Sequence, residues 1–398
     1  MTHSKKEYCS HSYLTEGSDF RSFKLASTRD RVPPHDLDLD DSQSSHAQEL
    51  LRNNVVVSFH DHPQILPEDP AEIEEYYHSG RLYTAYSALR DSGMTAVFLN
   101  FASMLTPKHQ GGSRWNELIY AMGVQLADIA HQDYVVIAHS VNDILQAHEN
   151  DQLAFVLATE ASDAIESDLD KIDILYGFGM RQMGIAYSES NALGSGLKER
   201  YDGGLTSFGR LAVERMNKIG MAIDVSHSSD RTCLDVIEVS SKPVLITHAG
   251  ARNVWRMPRM KPDEVLKACA ESDGVVGLSA APHTTISETH RQHSIESVMD
   301  HFAYCVDLIG IDHVAFGPDT FYGDHVGLHR SFTESIGVHQ SQDPNPPAYD
   351  EVAYVSGLEN PSENFTNITG WLVKHGYSDE DISKVLGGNI VRALREIW

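Results

Sequence analysis

Cysteine is scarce in this chain, and long hydrophobic runs are missing. Four cysteines stand among 398 residues, Cys9, Cys233, Cys269 and Cys305, and no two are close. That spacing argues against a zinc knuckle and a disulfide scaffold, and leaves them as small buried apolar residues. No apolar stretch approaches the roughly 20 residues of a membrane span. None follows the opening Met1–Glu7 as the core of a secretory signal, and Arg395-Glu396-Ile397-Trp398 carries no tail for a lipid anchor. Positive charge is thin as well: 31 Lys and Arg stand against 57 Asp and Glu, a formal net charge of -26. Such a surface repels nucleic acid and anionic membranes and favours solubility. The expectation is a soluble cytoplasmic protein with no nucleic-acid or membrane partner.

What the chain does have is short apolar runs, and hydrophobic residues make up 41% of it, ample for a large core. An apolar run bounded by turn residues reads as a strand buried on both faces. Eight such runs are expected as strands: 55–62, Ala96–Phe101, Leu153–Glu160, Arg181–Tyr187, Ala222–His227, Pro243–His248, Gly274–Ser279 and Val314–Asp319. A ninth, Tyr134–Ile137, is expected outside their ring. Helical stretches separate most of them, at 70–93 with Gly93 as its cap, 115–131, 206–219, 228–240, 262–272 and 293–309. Strands alternating with helices give an α/β fold, a (β/α)8 TIM barrel, which typically holds about 250 residues before insertions. Residues 1–50 are expected as an N-terminal arm and lead-in helix, and residues 51–398 as a single catalytic domain.

One segment breaks the rhythm. Residues 320–362 hold Gly323-Asp324-His325, His329, His339 and the turn-rich Asp343–Pro347. A long loop at a barrel's rim reads as a lid or binding element, or else as an ordered insertion without chemistry. The sequons at Asn364 and Asn367 read as accidental, since no secretion signal accompanies them.

Five of the expected strands end in residues that bind metal. His60 and His62 share the first, Glu160 closes Leu153–Glu160, His227 and His248 close two more, and Asp319 closes the last. Residues two apart on a strand point to one face, so His60 and His62 converge. In a barrel of parallel strands, the C-terminal ends surround one point, where active sites collect. Nitrogen and oxygen donors without thiolates suit zinc, with manganese or cobalt as substitutes. Two such ions would generate hydroxide near neutral pH and polarise a carbonyl, which is what amide hydrolysis needs.

These residues, with Asp202–Arg210, Met216–His227, Thr247–Arg252, Val306–Asp319 and Gly376–Asn389, resemble the membrane (renal) dipeptidase family of metal-dependent amidohydrolase-like barrels. The resemblance covers about residue 50 to 398. It implies a metallo-dependent hydrolase barrel with two Zn2+ bridged by Glu160, one held by His60 and His62 and the other by His227 and His248. It implies Asp319 as the residue that orients a hydroxide between the metals and takes its proton. Arg259 falls where the family binds the substrate's C-terminal carboxylate, a task suited to a bidentate guanidinium, with Arg252 as a second candidate. A homodimer is the family default.

Three departures stand out. The family's His-x-Asp becomes His60-Asp61-His62, making the site less negative by one charge. Its Glu-Gly-Gly-His becomes Glu160-Ala161-Ser162-Asp163, and its strand-four histidine becomes Tyr187, a phenol that can donate to an oxyanion but carries no positive charge. The function expected is hydrolysis of a small amide, a dipeptide first. Hydrolysis of a non-peptide amide, lactone or modified amino acid is the alternative, and an inactive binding protein the second alternative.

Overall fold

Strand pairing follows the apolar runs. The computed structural model describes residues 8–101, 114–336 and 347–398, so His339 and residues 343–346 lie outside the described part. Nine parallel strands form one sheet: β1 (Val57–Asp61), β2 (Ala96–Asn100), β3 (Val135–Ile137), β4 (Leu153–Thr159), β5 (Met180–Gly184), β6 (Ala222–Asp224), β7 (Val244–Ala249), β8 (Val275–Leu278) and β9 (Val314–Phe316). Eight run in the order β1-β2-β4-β5-β6-β7-β8-β9, and β3 pairs with β4 off that path, as its place outside the ring predicts. The ring closes just beyond β9, where Asp319 N donates to His60 O (3.0 Å) and His62 N donates to Thr320 O (3.1 Å). The result is the expected α/β barrel.

Helices fill the intervals: α1 (Asp41–Asn53), α2 (Ile73–Ser79), α3 (Tyr86–Arg90), α4 (Trp115–Ile129), α5 (Val141–Glu149), α6 (Asp170–Gly177), α7 (Ser207–Ile219), α8 (Asp230–Val239), α9 (Asp263–Glu271), α10 (Ile295–Ile309), α11 (His325–Ile336), α12 (Pro361–Lys374), α13 (Asp379–Ser383) and α14 (Asn389–Ile397). Every residue of β1, β2 and β4 is buried, which is why those runs show no polar alternation. One face, with Val57, Phe59, Phe98, Val156 and Leu245, forms a cluster that also includes Ile390, Leu394 and Ile397 of α14. Around α14, Arg392 donates to Asp273 O ahead of β8, and Trp398 donates to Arg181 O near the start of β5. This helix therefore plugs the N-terminal end of the barrel and leaves the C-terminal rim for the site.

Two expectations are corrected. The 70–93 stretch is not one helix: a 3-10 turn at Pro70–Glu72 leads into α2, Gly80 is extended, and α3 follows. The intervening backbone pairs instead with the loop after β1, through Ile65 N to Tyr83 O and Ala85 N to Pro63 O (2.8 and 2.9 Å). This tertiary pairing outcompetes local helix propensity, and Asp91 rather than Gly93 caps α3. The second correction concerns 320–362, which contains helix α11 and is not a plain loop. Asn364 is fully buried on α12 and donates to Thr320 Oγ1 (3.0 Å), so its sequon faces the interior.

Glycine at the end of β5 is set by close approach. A Cβ on Gly184 would stand 1.9 Å from the carbonyl oxygen of Glu160. Gly184→Ala is expected to cost about 1–3 kcal/mol in urea unfolding and to displace Glu160. A variant of unchanged stability would show that the β4 end gives way freely.

The loop after β7 rests on a buried histidine. His301 of α10 accepts from Ala251 N (3.0 Å) and, as a neutral ring, donates from Nε2 to Ile286 O (2.8 Å). Burial lowers its pKa from 6.5 to about 4. Between those values the unfolded chain takes up a proton that the fold refuses, so acidification through the window destabilises by up to about 3 kcal/mol. His301→Gln keeps a donor and an acceptor and is expected to flatten that part of the stability–pH curve. A slope identical to the parent's would refute the assignment.

Candidate metal centre

Register shifts interrupt β1 between Ser58 and Asp61, and β7 between Ile246 and Ala249. Bulges of this kind re-aim side chains at strand ends, and His60 and His248 lie on these two strands, with His62 directly after the first. Glu160 follows β4 directly, while Tyr187, His227 and Asp319 each lie three residues past the ends of β5, β6 and β9. Asp319 adopts a positive φ of 60°, uncommon outside glycine, at the seam where its backbone bonds to His60. The structure thus brings all six expected ligands to one rim.

Their spacing forms two sets that share Glu160. In the first, His60 Nε2 lies 3.2 Å from His62 Nε2, 3.6 Å from Glu160 Oε1 and 3.4 Å from Asp319 Oδ1. His62 Nε2 lies 3.1 Å from Glu160 Oε1 and 3.3 Å from Asp319 Oδ1. Zinc bonds of about 2.0–2.1 Å place the corners of a tetrahedron roughly 3.3 Å apart, so His60, His62 and Asp319 are spaced to share one divalent ion, with Glu160 Oε1 beside both imidazoles. The second set uses the other carboxylate oxygen: Glu160 Oε2 is 3.2 Å from His227 Nε2 and 4.0 Å from His248 Nε2, and the two imidazole nitrogens are 3.0 Å apart. Three donors leave a coordination position open, the arrangement of catalytic rather than structural sites. The sets interlock, since His60, Glu160 and His248 also present atoms within 4.8 Å of one another.

The electrostatics favour a cation. Burial opposes ionisation of Glu160 and Asp319, yet the facing imidazoles more than offset it and hold both carboxyls well below the usual range. Burial alone would lower the pKa of His62, but Asp319 and Glu160 raise it to about 10. His227 goes the other way, to about 3, through burial and the charge of Arg259. Burial, His60 and Arg259 hold His248 neutral. The first set attracts positive charge, and the second offers neutral nitrogens ready to ligate.

Other side chains hold the ligands. His62 stacks on Phe321 (4.5 Å between centroids), His227 on Tyr187 (3.9 Å) and His60 on His248 (3.5 Å). Behind His248, Thr247 Oγ1 lies 2.8 Å from Nδ1, and Asp224 accepts from Ser226 Oγ (2.6 Å) and Thr247 N (2.9 Å). Asp61, between the two first-strand histidines, instead accepts from Ser58 Oγ, Thr320 N and Thr320 Oγ1 (2.5, 2.8 and 2.8 Å). Asn100 closes β2 against His60. Sequence reading missed Asn100, Asp224, Thr247 and Thr320, because nothing in an isolated strand shows which ligand a polar residue will back. Alternation alone turned Asp61 away from its neighbours.

The two arginines part company. Arg259 is buried, 4% exposed; Nη1 donates to Ser226 O (3.1 Å), and Nη2 has no hydrogen-bond partner. Asp319, Tyr187 and Glu160 all act electrostatically on its charge. Arg252, in contrast, makes a two-pronged pair with Asp230 (2.5 and 2.9 Å) and donates to Met260 O and Pro258 O. It braces the loop that carries Arg259. Lys261 ties the same loop to the β6 end by donating to Ser228 O (2.7 Å). Tyr187 is buried, and burial together with Glu160 and Asp319 keeps its hydroxyl protonated, hence a donor.

Comparison with known proteins identifies the family and the fold. The sequence profile of membrane dipeptidase, peptidase family M19, matches residues 44–330. The chain is 26% identical over 269 residues to Dipeptidase tcpJ of Claviceps purpurea, covering 67% of this chain and 56% of that protein. It is 25% identical over 368 residues to human Dipeptidase 3, covering 88% of this chain and 67% of that protein. The chain therefore spans little more than half to two thirds of these relatives. Among solved structures, an amidohydrolase from Pseudomonas aeruginosa superposes with a TM-score of 0.72 at 24% identity, over 88% of this chain and 99% of that one. A metallo peptidase from Rhodobacter sphaeroides, liganded with a phosphinate mimic of L-Ala-D-Ala, gives 0.63 at 19% identity, over 87% of this chain and 100% of that one. At such identities the structures establish a shared fold, whereas the profile spans well over half of the chain: this protein belongs to the membrane dipeptidase family, peptidase family M19.

Proposed function

We propose that this protein hydrolyses the peptide bond of dipeptides at a centre of two divalent ions, zinc foremost and manganese or cobalt as substitutes. The observation that carries the reading is Glu160, whose two oxygens each face a separate pair of imidazoles. His60, His62 and Asp319 would complete one set, and His227 and His248 the other. When bound, the two ions supply hydroxide at neutral pH and polarise the scissile carbonyl.

The side chains do the rest. Asp319 is ionised, with its carboxylate at the rim, so it accepts the proton of the attacking water and returns it to the leaving amine. Tyr187 donates to the oxygen on which negative charge develops, in the place of the family's histidine. Arg259 offers an unpaired buried Nη2, and a dipeptide carries a free α-carboxylate one residue from the scissile bond. A buried donor without a partner is costly, and that carboxylate would satisfy it. Among the described residues the cysteines are free, which supports a reducing, cytoplasmic setting as part of the same reading.

Amine release from a panel of L,L and L,D dipeptides by zinc-loaded protein is the direct test. Turnover should vanish in His248→Ala and on chelation, and return when zinc is restored to the parent. Metal-replete parent that cleaves no dipeptide would sink the reading and favour other amides or lactones. Arg259→Ala is expected to lower kcat/KM about 10- to 100-fold on free dipeptides, mostly through KM. C-terminally amidated dipeptides should be indifferent to that change. An equal loss on both substrates would remove Arg259 from the carboxylate.

A further inference from the structure

Strand β2 supplies no ligand, yet its last residue reaches the site. Asn100 is 1% exposed, and its amide Nδ2 lies 2.8 Å from His60 Nδ1. The other ring nitrogen, Nε2, is the one that converges with His62, Glu160 and Asp319. A histidine that ligates through Nε2 carries its proton on Nδ1, and that N–H needs an acceptor to fix the ring. Asn100 has one to offer. Its Oδ1 is buried with no hydrogen-bond partner, while Nδ2 has beyond His60 only a marginal contact, 3.5 Å to Phe98 O. A half-turn of the amide about Cβ–Cγ exchanges oxygen and nitrogen at almost no change in volume. It pairs the orphan oxygen with Nδ1–H, and Nδ2 gives up its contact with His60 in exchange.

We infer that Asn100 accepts from His60 Nδ1 and thereby fixes His60 as an Nε2 ligand, making it a positioning residue for the first metal set. The inference rests on the reading of that set as a metal centre. Each set then has one ligand locked from behind, His60 by Asn100 and His248 by Thr247 Oγ1. The Nδ1 atoms of His62 and His227 have no hydrogen-bond partner, and those rings are held by stacking on Phe321 and Tyr187. Two mobile imidazoles in one set would ligate poorly, and Asn100 prevents that in the first.

The test compares full-length parent, Asn100→Asp and Asn100→Leu by zinc titration against a chromophoric chelator. Histidine-ring 15N spectra report the tautomer, and melting curves of the metal-free proteins report folding. Asp accepts but does not donate, and Leu is of similar size and does neither. Asn100→Leu should lose about 10- to 100-fold in affinity for one of two ions, and should lose the spectral signature of a single Nδ1-protonated ring. Asn100→Asp should bind that ion at least as tightly as the parent. If Asn100→Leu does not fold, Asn100→Ala takes its place with the same expectation. Equal losses in the Asp and Leu variants would show that the amide acts as a donor and would overturn the inference, as would unchanged affinity in the variants without an acceptor. Parent protein that binds no zinc would overturn the metal centre itself, a different failure visible before any variant is compared.

Discussion

A carboxylate with almost no solvent around it is the constraint on which this structure turns. Burying an ion of that size without compensation costs several kcal/mol, and Glu160 is 3% exposed. Compensation comes from imidazoles on either side, and it places strict demands on the chain. Four histidines from three strands must reach one carboxylate, so β1, β6 and β7 must end level with β4. The backbone of β5 must pass so close to Glu160 that glycine alone fits at 184. The charge that settles best between such groups is a divalent cation, and family membership agrees.

Closure of the barrel and assembly of the centre are the same event. The backbone bonds that join the first strand to the segment after the last involve His60, His62, Asp319 and Thr320, three of them expected ligands or proton carriers. Thr320 also supports Asp61, and Asn364 supports Thr320. The N-terminal arm adds a strap: Arg29 bonds to Asp91, and Arg31 pairs with the buried Glu359 near the start of α12. Rigidity at the seam therefore passes to the ligands through covalent neighbours, which is how a barrel holds a reactive centre on strand ends while its loops vary.

Legibility varied with the range of the interaction. Apolar runs buried on both faces showed the strands, and alternation showed that His60 and His62 share a side. The ends of five of those strands held all six metal-capable positions in plain view. Helix 70–93 failed because its middle pairs with the loop after β1, a contact invisible to local periodicity. Arg259 stood first and Arg252 second as carboxylate binders; Asp230 engages Arg252, and Nη2 of Arg259 is left without a partner. Asn100 looked like the polar end of a strand, and its meaning came only from His60 lying across the β1–β2 pairing.

By itself, the sequence determined the fold class, the strands that carry ligands and the donor chemistry, because burial and residue type are local properties. Tertiary structure decided how those donors divide. It set one carboxylate between two histidine pairs, brought Asp319 beside the first pair, and paired Arg252 with Asp230 while leaving Arg259 Nη2 without a partner. Those outcomes depend on distances of a few ångströms between strands far apart in the chain, and they exist only once the barrel has closed.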